Sequence, residues 1–335
     1  MRRAAASFVG LVKMCCEVDR FASRPCAMFR IDSKGEISPS STLDLLPTST
    51  ASHVTRRRAS SAHHTLEIRP NDGTVVAYGA SALEEEGDNF LAHLGIGDEW
   101  GQRVVQPKPV RGITQCIEVA AGDLHSLFLC GDGVVFSVGG GWEGVLGHND
   151  ESSLAIPRPI ASLPVRIARI AAGGAHSLAV GYDGYAYSWG WGGCGQLGHG
   201  ADGDGVVSKQ LAPKRVEGLE EVKQVAAGKA HSLVLCTNGA VYSFGRNTKG
   251  QCGIHDTSSG QQQQMDNIRV PTRITTLDKA CEVMAHADVS AAAVMSADEE
   301  TGFPEEELYM FGDCRGVYPV RVTAEAVAKA MRLII

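Results

Sequence analysis

An internal repeat constrains the fold of this chain more than any other feature of its sequence. The segments Val119–Gly147, Ile170–Gly198 and Val225–Gly253 agree at many positions. Each segment has an apolar residue before Ala-Ala-Gly, two variable residues, and then His-Ser-Leu. A short apolar run, an Asp-Gly or Asn-Gly pair and a second apolar run ending in glycine complete the copy. Because internal repeats are the sequence signature of repeat architectures, this feature identifies the fold class more firmly than a single motif can.

Each copy predicts a β-hairpin. Short apolar runs such as Leu233–Cys236 are typical of strands that are covered on both faces. The Asp-Gly and Asn-Gly pairs end at Gly133, Gly184 and Gly239 and predict tight primed turns, since those turns need φ > 0 at their centre. One such sheet cannot bury both of its faces alone, so each unit must stack on its neighbours.

Glycine and histidine recur at fixed places in the three clear copies. The glycine that follows Ala-Ala allows a sharp corner or a close backbone approach. Equivalent histidines in successive units form a ring and do not converge on one ion, so we interpret them as hydrogen-bonded structural residues and predict no metal site. The residues expected to define the repeat are Gly122, His125, Gly133, Gly173, His176, Gly184, Gly228, His231 and Gly239.

Two further copies are weaker. His64–Gly79 keeps the histidine and the Asp-Gly pair but lacks the Ala-Ala-Gly entry. Val283–Ser290 keeps the serine and has Val289 where the other copies have histidine. Its second strand, Leu308–Gly312, follows an acidic stretch that we interpret as an insertion.

The repeated pattern resembles the regulator of chromosome condensation repeat family, and Ile170–Gly200, which ends in Gly-Gln-Leu-Gly-His-Gly, matches it most closely. The resemblance covers roughly residues 62–322. It implies an all-β fold, a β-propeller with four-stranded blades. Since the sequence shows five units, two of them degraded, we expect a propeller of about five to six units that is incomplete or open, with a short C-terminal helix.

The repeats also predict the domain organisation. Residues 1–61 form an irregular N-terminal region that contains a Ser/Thr-rich linker, and residues 16–38 are either a decayed sixth unit, a lone hairpin or a disordered extension. Residues 62–322 hold the propeller, with units at 62–113, 114–164, 165–219, 220–277 and 278–322. Prolines in the connections predict that each blade ends in an edge strand. In residues 323–335 the apolar side chains share one helical face, which predicts the C-terminal helix.

Composition narrows the function classes. The net charge of −7 argues against nucleic-acid binding by the propeller. Ten cysteines without a Cys-x-x-Cys motif favour a reducing compartment without structural zinc, and no apolar run is long enough to span a membrane. The sequence shows no phosphate-binding loop, no dinucleotide fingerprint and no nucleophile motif, so we predict no catalytic residues, no cofactor and no enzyme activity of that kind.

Function is therefore expected in the variable loops, which a propeller presents on a rigid scaffold. The favoured hypothesis is a non-catalytic protein-interaction scaffold in the eukaryotic cytoplasm or nucleus. The candidate partner-binding residues, which would attract a basic partner, are Glu84, Glu85, Glu86, Asp88, Glu305, Glu306 and Glu307. Unpaired blade edges would also favour self-association.

Two alternatives stay open. The resemblance implies guanine-nucleotide exchange on a small GTPase as one alternative, because the founding member of the family performs that activity. The basic, Ser/Ala-containing start of the chain, residues 1–30, favours a mitochondrial propeller in organelle ribosome or RNA biology as the other.

Overall fold

The computed structural model describes residues 29–31, 37–39, 57–79, 94–97, 104–202, 205–254, 267–297, 304–313 and 316–322. The chain divides into two compact units, residues 1–55 together with 324–335, and residues 56–323. In the first unit the described residues form an antiparallel hairpin of β1 (Phe29–Ile31) and β2 (Ile37–Pro39). The remainder of residues 16–38 and the helix predicted for residues 323–335 lie outside the described residues.

The second unit contains five four-stranded antiparallel sheets in its described part, and each sheet is an up-and-down meander. Sheet 1 consists of β3 (Arg58–Ser60), β4 (His64–Ile68), β5 (Val75–Gly79) and β6 (Val104–Pro109). Sheet 2 consists of β7 (Cys116–Ala121), β8 (His125–Cys130), β9 (Val135–Gly139) and β10 (Leu154–Pro159), with a short 3-10 turn at Trp142–Gly144.

Sheets 3 to 5 repeat the same meander. Sheet 3 consists of β11 (Ile167–Ala172), β12 (His176–Gly181), β13 (Ala186–Trp191) and β16 (Lys209–Arg215), and a small ribbon of β14 (Ala201–Asp202) and β15 (Gly205–Val206) precedes β16. Sheet 4 consists of β17 (Val222–Ala227), β18 (His231–Cys236), β19 (Val241–Gly245) and β20 (Ile268–Arg273). Sheet 5 consists of β21 (Ala280–His286), β22 (Val289–Ala297), β23 (Pro304–Gly312) and β24 (Gly316–Val322). Five such sheets confirm the predicted all-β propeller architecture.

The second strands of sheets 2, 3 and 4 are buried along their whole length, as their continuous apolar runs predict. In sheet 4 the register places Val234 opposite Val225 on one side and Tyr242 on the other. The outermost strands β6, β10, β16 and β20 carry the prolines and pair on one side only within their sheets. The prediction that proline marks the edge strand is therefore confirmed.

The hairpin turns differ from the predicted primed type. In sheet 2 the Gly133 N–H donates to the Cys130 carbonyl over 2.9 Å, and Gly133 is the residue of this turn with positive φ, at 83°. This geometry is a type I turn followed by a left-handed glycine. The Asp132 carboxylate accepts the Val134 N–H over 3.1 Å and stabilises that arrangement. The primed assignment is wrong, whereas φ > 0 at the glycine is confirmed, with 80° at Gly184 and 82° at Gly239.

The hydrophobic core lies between consecutive sheets. One cluster joins sheets 1 and 2 around Phe128, a second joins sheets 2 and 3 around Trp189, and further clusters around Phe244 and Phe311 join sheets 3 to 4 and 4 to 5. Trp189 is fully buried, and its indole N–H donates to the Val145 carbonyl over 2.8 Å. Among the described strands, sheet 5 makes no comparable packing with sheet 1, so stacking follows the order of the chain.

No helix in the described part of the chain has the length and apolar character needed to cross a lipid bilayer.

Candidate functional site

A row of buried histidine–serine hydrogen bonds connects the sheets, and we call it the His–Ser ladder. In each rung the histidine at the start of one second strand meets a serine at the same level of the next sheet. The four rungs are His64–Ser126 at 2.7 Å, His125–Ser177 at 2.9 Å, His176–Ser232 at 3.0 Å and His231–Ser290 at 2.8 Å, each from Nε2 to Oγ. All eight side chains are buried. The histidines therefore act in pairs with serines between sheets.

The serines also fix the protonation of the histidines. Ser232 Oγ donates to the Gln196 carbonyl over 2.8 Å, and Ser290 Oγ donates to the Gln251 carbonyl over 2.7 Å. Because the hydroxyl proton is used there, the hydroxyl oxygen must accept from histidine, and Nε2 carries the proton. Burial lowers the pKa of His176 to about 3 and that of His231 to about 4, so both rings are neutral at physiological pH.

The glycine of Ala-Ala-Gly makes room for the histidine ring. A Cβ atom added at Gly173 would overlap His176 Cε1 and would lie 2.5 Å from the Gly228 carbonyl oxygen of the next sheet. Gly122 and Gly228 have the same surroundings, against His125 and His231 respectively. In sheets 2 to 4 the glycine of the Gly-x-x-His spacing therefore leaves the space that the histidine ring occupies.

The two weaker copies sit at the ends of the His–Ser ladder. In sheet 1 the glycine position holds Ser61, whose Oγ lies 2.9 Å from His64 Nδ1, and the serine position holds Thr65. In sheet 5 Val289 replaces the histidine, while Ser290 still completes the last rung. Sequence reasoning missed the role of the serine, although its retention in the copy that lost histidine was a readable signal.

The variable residues between the glycine and the histidine of each clear copy line two cavities. A cavity of about 290 Å³ is lined by residues from sheets 1 to 4, namely His63, Asp123, Leu124, Gly174, Ala175, Trp191, Lys229, Ala230 and Arg246. A cavity of about 310 Å³ is lined by Leu124, Gly140, Trp142, Glu143, Val145, Gly174 and Ala175. The two cavities share Leu124, Gly174 and Ala175, and we call them together the loop groove.

Charged side chains in the loop groove lack partners. Within the part of the chain that the structure describes, Asp123, Lys229 and Arg246 form no ion pair, and Arg246 Nη2 reaches only the weak acceptor Cys194 Sγ at 3.6 Å. Between sheets 4 and 5, in contrast, Lys249 Nζ contacts the carboxylates of Asp288 at 2.9 Å and Asp313 at 2.7 Å. The loop groove thus presents charges that no ion pair among the described residues neutralises.

The structure describes three of the seven predicted acidic residues. Glu84, Glu85, Glu86 and Asp88 lie outside the described residues. Glu305, Glu306 and Glu307 are part of β23 and pair with Ser296, Met295 and Val294 of β22. The interpretation of these three glutamates as part of a loop insertion is wrong, because the strand already begins at Pro304.

The described residues contain no group of three or more His, Cys, Asp or Glu side chains placed to hold a metal ion. Of the recurring residues, the histidines pair with serines of the next sheet, and the glycines before them lie against the histidine rings. The glycines Gly133, Gly184 and Gly239 lie in the hairpin turns. The loop groove, in contrast, gathers residues that vary from copy to copy.

Comparison with known proteins agrees with this geometry. The regulator of chromosome condensation (RCC1) repeat model matches residues 132–180, 183–235 and 238–293, and a second model of the same repeat matches 167–196 and 222–251. Each of the three longer matches starts at the hairpin turn of one sheet and extends into the next sheet. The matched unit therefore spans the interface that the His–Ser ladder connects.

Among curated relatives, the probable E3 ubiquitin-protein ligase HERC6 of Homo sapiens is 32% identical over 235 residues, which is 68% of this chain and 21% of HERC6. The ultraviolet-B receptor UVR8 of Arabidopsis thaliana is 35% identical over 158 residues, 45% of this chain and 35% of the receptor. The chain thus spans about a fifth of one relative and about a third of the other.

Solved structures show the same fold. Prp20p from Saccharomyces cerevisiae superposes with a TM-score of 0.64 at 23% identity, covering 79% of this chain and 62% of Prp20p. Human WBSCR16 superposes with a TM-score of 0.61 at 20% identity, covering 82% of this chain and 69% of that protein.

Proposed function

Because the chain is a regulator of chromosome condensation (RCC1) repeat protein with a propeller fold, we propose that it acts as a non-catalytic protein-interaction scaffold. The observation that carries this proposal is the loop groove, in which loops of four sheets converge. Rigid sheets hold these loops in place, and such loops commonly carry the binding residues of a fold.

The residue types of the loop groove support a protein partner. Trp142 is 46% exposed and lines the loop groove. Trp191 and Arg246 line the same groove. Tryptophan and arginine are enriched among the residues that dominate the binding energy of protein interfaces. Together with the charged side chains that form no ion pair, they are the residue types found at the centre of protein interfaces.

The curated relatives support this proposal only for the repeat domain. HERC6 and HERC5 of Homo sapiens are named as protein ligases, but the chain matches only 21% and 17% of their lengths. Ligase activity is therefore not part of the proposal. What these relatives support is the repeat domain itself, which we propose contacts other proteins.

Guanine-nucleotide exchange is the second candidate. The Prp20p structure was described together with its binding properties to Gsp1p, a small GTPase, and to histones. At 23% identity this likeness supports the fold alone, so exchange needs its own test. Nucleotide release from a panel of purified small GTPases, with and without the full chain, gives a direct answer.

Proximity labelling with the tagged full chain in its own cells tests the scaffold proposal. The informative variant is Lys229→Glu, which reverses an exposed charge in the loop groove. Its matched control is Lys223→Glu, which makes the same change in the same sheet at a residue that does not line the groove. We expect Lys229→Glu to lose a defined set of partners that Lys223→Glu retains. Identical partner sets for both variants and the wild type would contradict the proposal.

A further inference from the structure

We infer that the loop groove binds an extended segment of a protein partner that carries one carboxylate side chain next to an apolar side chain. The carboxylate lies between Lys229 and Arg246, and the apolar side chain lies over Leu124 and Ala175. This inference rests on the proposed function, because it assigns the chemistry of the partner at the same groove.

The two basic side chains at one end of the loop groove are the reason to infer a carboxylate on the partner. Lys229 and Arg246 both belong to sheet 4 and both line the cavity of about 290 Å³, beside Trp191. The guanidinium of Arg246 contacts a thiol sulfur at 3.6 Å, which leaves most of its five N–H donors for another acceptor. A planar carboxylate is the acceptor that matches a guanidinium in two parallel hydrogen bonds. The already satisfied Lys249, held by Asp288 and Asp313, shows how this face pairs its lysines when a carboxylate is available.

The middle of the loop groove is apolar and shallow. Its shared wall consists of Leu124, Gly174 and Ala175. A Cβ atom added at Gly174 would lie 2.6 Å from the Lys229 carbonyl oxygen and 3.2 Å from Asp123 Oδ2, so this position has to remain without a side chain. The apolar side chain of the partner packs on the shared wall at Leu124 and Ala175. The partner's chain then passes from Trp142 on sheet 2 to Trp191 on sheet 3.

Acidic residues elsewhere in the loop groove limit the partner to one carboxylate and set its direction. Glu143 lines the second cavity with φ of 57°, a conformation that non-glycine residues rarely adopt. Glu151 accepts the Glu143 N–H over 3.0 Å and is itself neutralised by Lys209 at 3.0 Å. Glu143 and Asp123 therefore repel further acidic residues at their positions. The single carboxylate of the segment must point towards sheet 4.

Peptide display on the full chain tests this inference. A library of random dodecapeptides is selected on the immobilised wild-type chain and counter-selected on the Lys229→Glu variant. Enriched peptides are synthesised as fluorescent probes, each with a matched version in which aspartate or glutamate is replaced by its amide. We expect enrichment of one acidic residue beside an apolar one. The amide versions should bind about fivefold more weakly, since an exposed charge pair contributes up to about 1 kcal/mol.

A charge exchange gives the sharper readout. Peptides in which the carboxylate is replaced by lysine should bind the Lys229→Glu chain better than the wild type. Arg246→Gln should weaken the binding of the acidic probes and should strengthen the binding of the lysine versions to Lys229→Glu, because it removes a like charge beside the peptide's lysine. Lys223→Glu serves as the control that keeps wild-type affinity. Thermal unfolding of every variant confirms that it is folded.

Enrichment of basic or uncharged peptides, or equal binding to the wild type and to Lys229→Glu, would overturn the inference. Those outcomes leave the scaffold proposal intact if proximity labelling still finds partners that depend on Lys229. Light scattering distinguishes a second copy of the chain as the occupant, because dimerisation that is lost in Lys229→Glu would assign the groove to self-association and would also overturn the inference.

Discussion

Removing Ser232 should destabilise the protein more than removing Ser243, although both changes delete the same atom from the same sheet. Both serines are fully buried. Ser243 Oγ donates to the Cys252 carbonyl over 2.6 Å. Ser232 Oγ donates to the Gln196 carbonyl over 2.8 Å and in addition accepts the Nε2–H of His176 at 3.0 Å. The pair therefore isolates the contribution of one rung of the His–Ser ladder.

The expected losses in the free energy of unfolding follow from the polar groups that each change leaves without a partner. Each Ser→Ala change removes one donated hydrogen bond, which costs about 1 kcal/mol. Ser232→Ala also leaves the His176 N–H buried without an acceptor, and an unsatisfied buried donor costs about 1–3 kcal/mol more. We therefore expect Ser243→Ala to lower the free energy of unfolding by about 1 kcal/mol and Ser232→Ala by about 2–4 kcal/mol.

Urea unfolding followed by circular dichroism and by tryptophan fluorescence measures both values. His176→Val, tested alone and with Ser232→Ala, completes a double-mutant cycle, and valine is a suitable replacement because Val289 occupies the same position in sheet 5. The double variant should be more stable than the sum of the two single changes predicts, since the His176 N–H that Ser232→Ala leaves without an acceptor is then absent. Equal costs for Ser232→Ala and Ser243→Ala, or strict additivity in the cycle, would refute the reasoning.

Four further predictions concern the same scaffold. Gly122→Ala should cost about 3 kcal/mol because its Cβ would overlap the His125 ring, whereas Gly131→Ala, whose nearest neighbour would be 3.7 Å away, should change the midpoint of urea unfolding little. Gly184→Val should lower the melting temperature, because a β-branched residue tolerates its φ of 80° poorly, and an unchanged melting temperature would contradict the turn assignment. Stability should fall as the pH drops from about 6.5 towards 4, by up to about 1.4 kcal/mol per pH unit for each of His176 and His231. The sign follows because burial lowers the pKa of His176 and His231 to about 3 and 4, so the unfolded chain binds more protons in that window; melting curves at a series of pH values measure it. The isolated chain should self-associate or be marginally stable because sheet edges are unpaired, and a stable monomer in light scattering would count against this.

The local features of the fold could be predicted because they depend on near neighbours in the sequence. Buried second strands follow from apolar runs, and edge strands follow from proline. The turn type could not be read from Asp132-Gly133, because the same pair also fits a type I turn with a following left-handed glycine. Charge alone also misplaced Glu305–Glu307, since an acidic run can extend a strand as readily as it can form a loop.

The candidate site could not be predicted from local patterns. Rung partners such as His176 and Ser232 are 56 positions apart, and only the stacking of sheets brings them together. The loop groove combines Asp123, Lys229 and Arg246, which have no common motif because they stand at the variable places of the repeat. Such residues become visible only when the scaffold places the loops of four sheets around one cavity.

The two weaker copies have changed in a way that fits their positions. Each rung needs a histidine on one sheet and a serine on the next. Sheet 1 keeps His64 and has lost the serine, while sheet 5 keeps Ser290 and has lost the histidine. Each end thus retains the half of the motif that faces its neighbour. Because Val289 has no polar hydrogen to donate, the ladder that joins the five described sheets does not continue from sheet 5 to sheet 1.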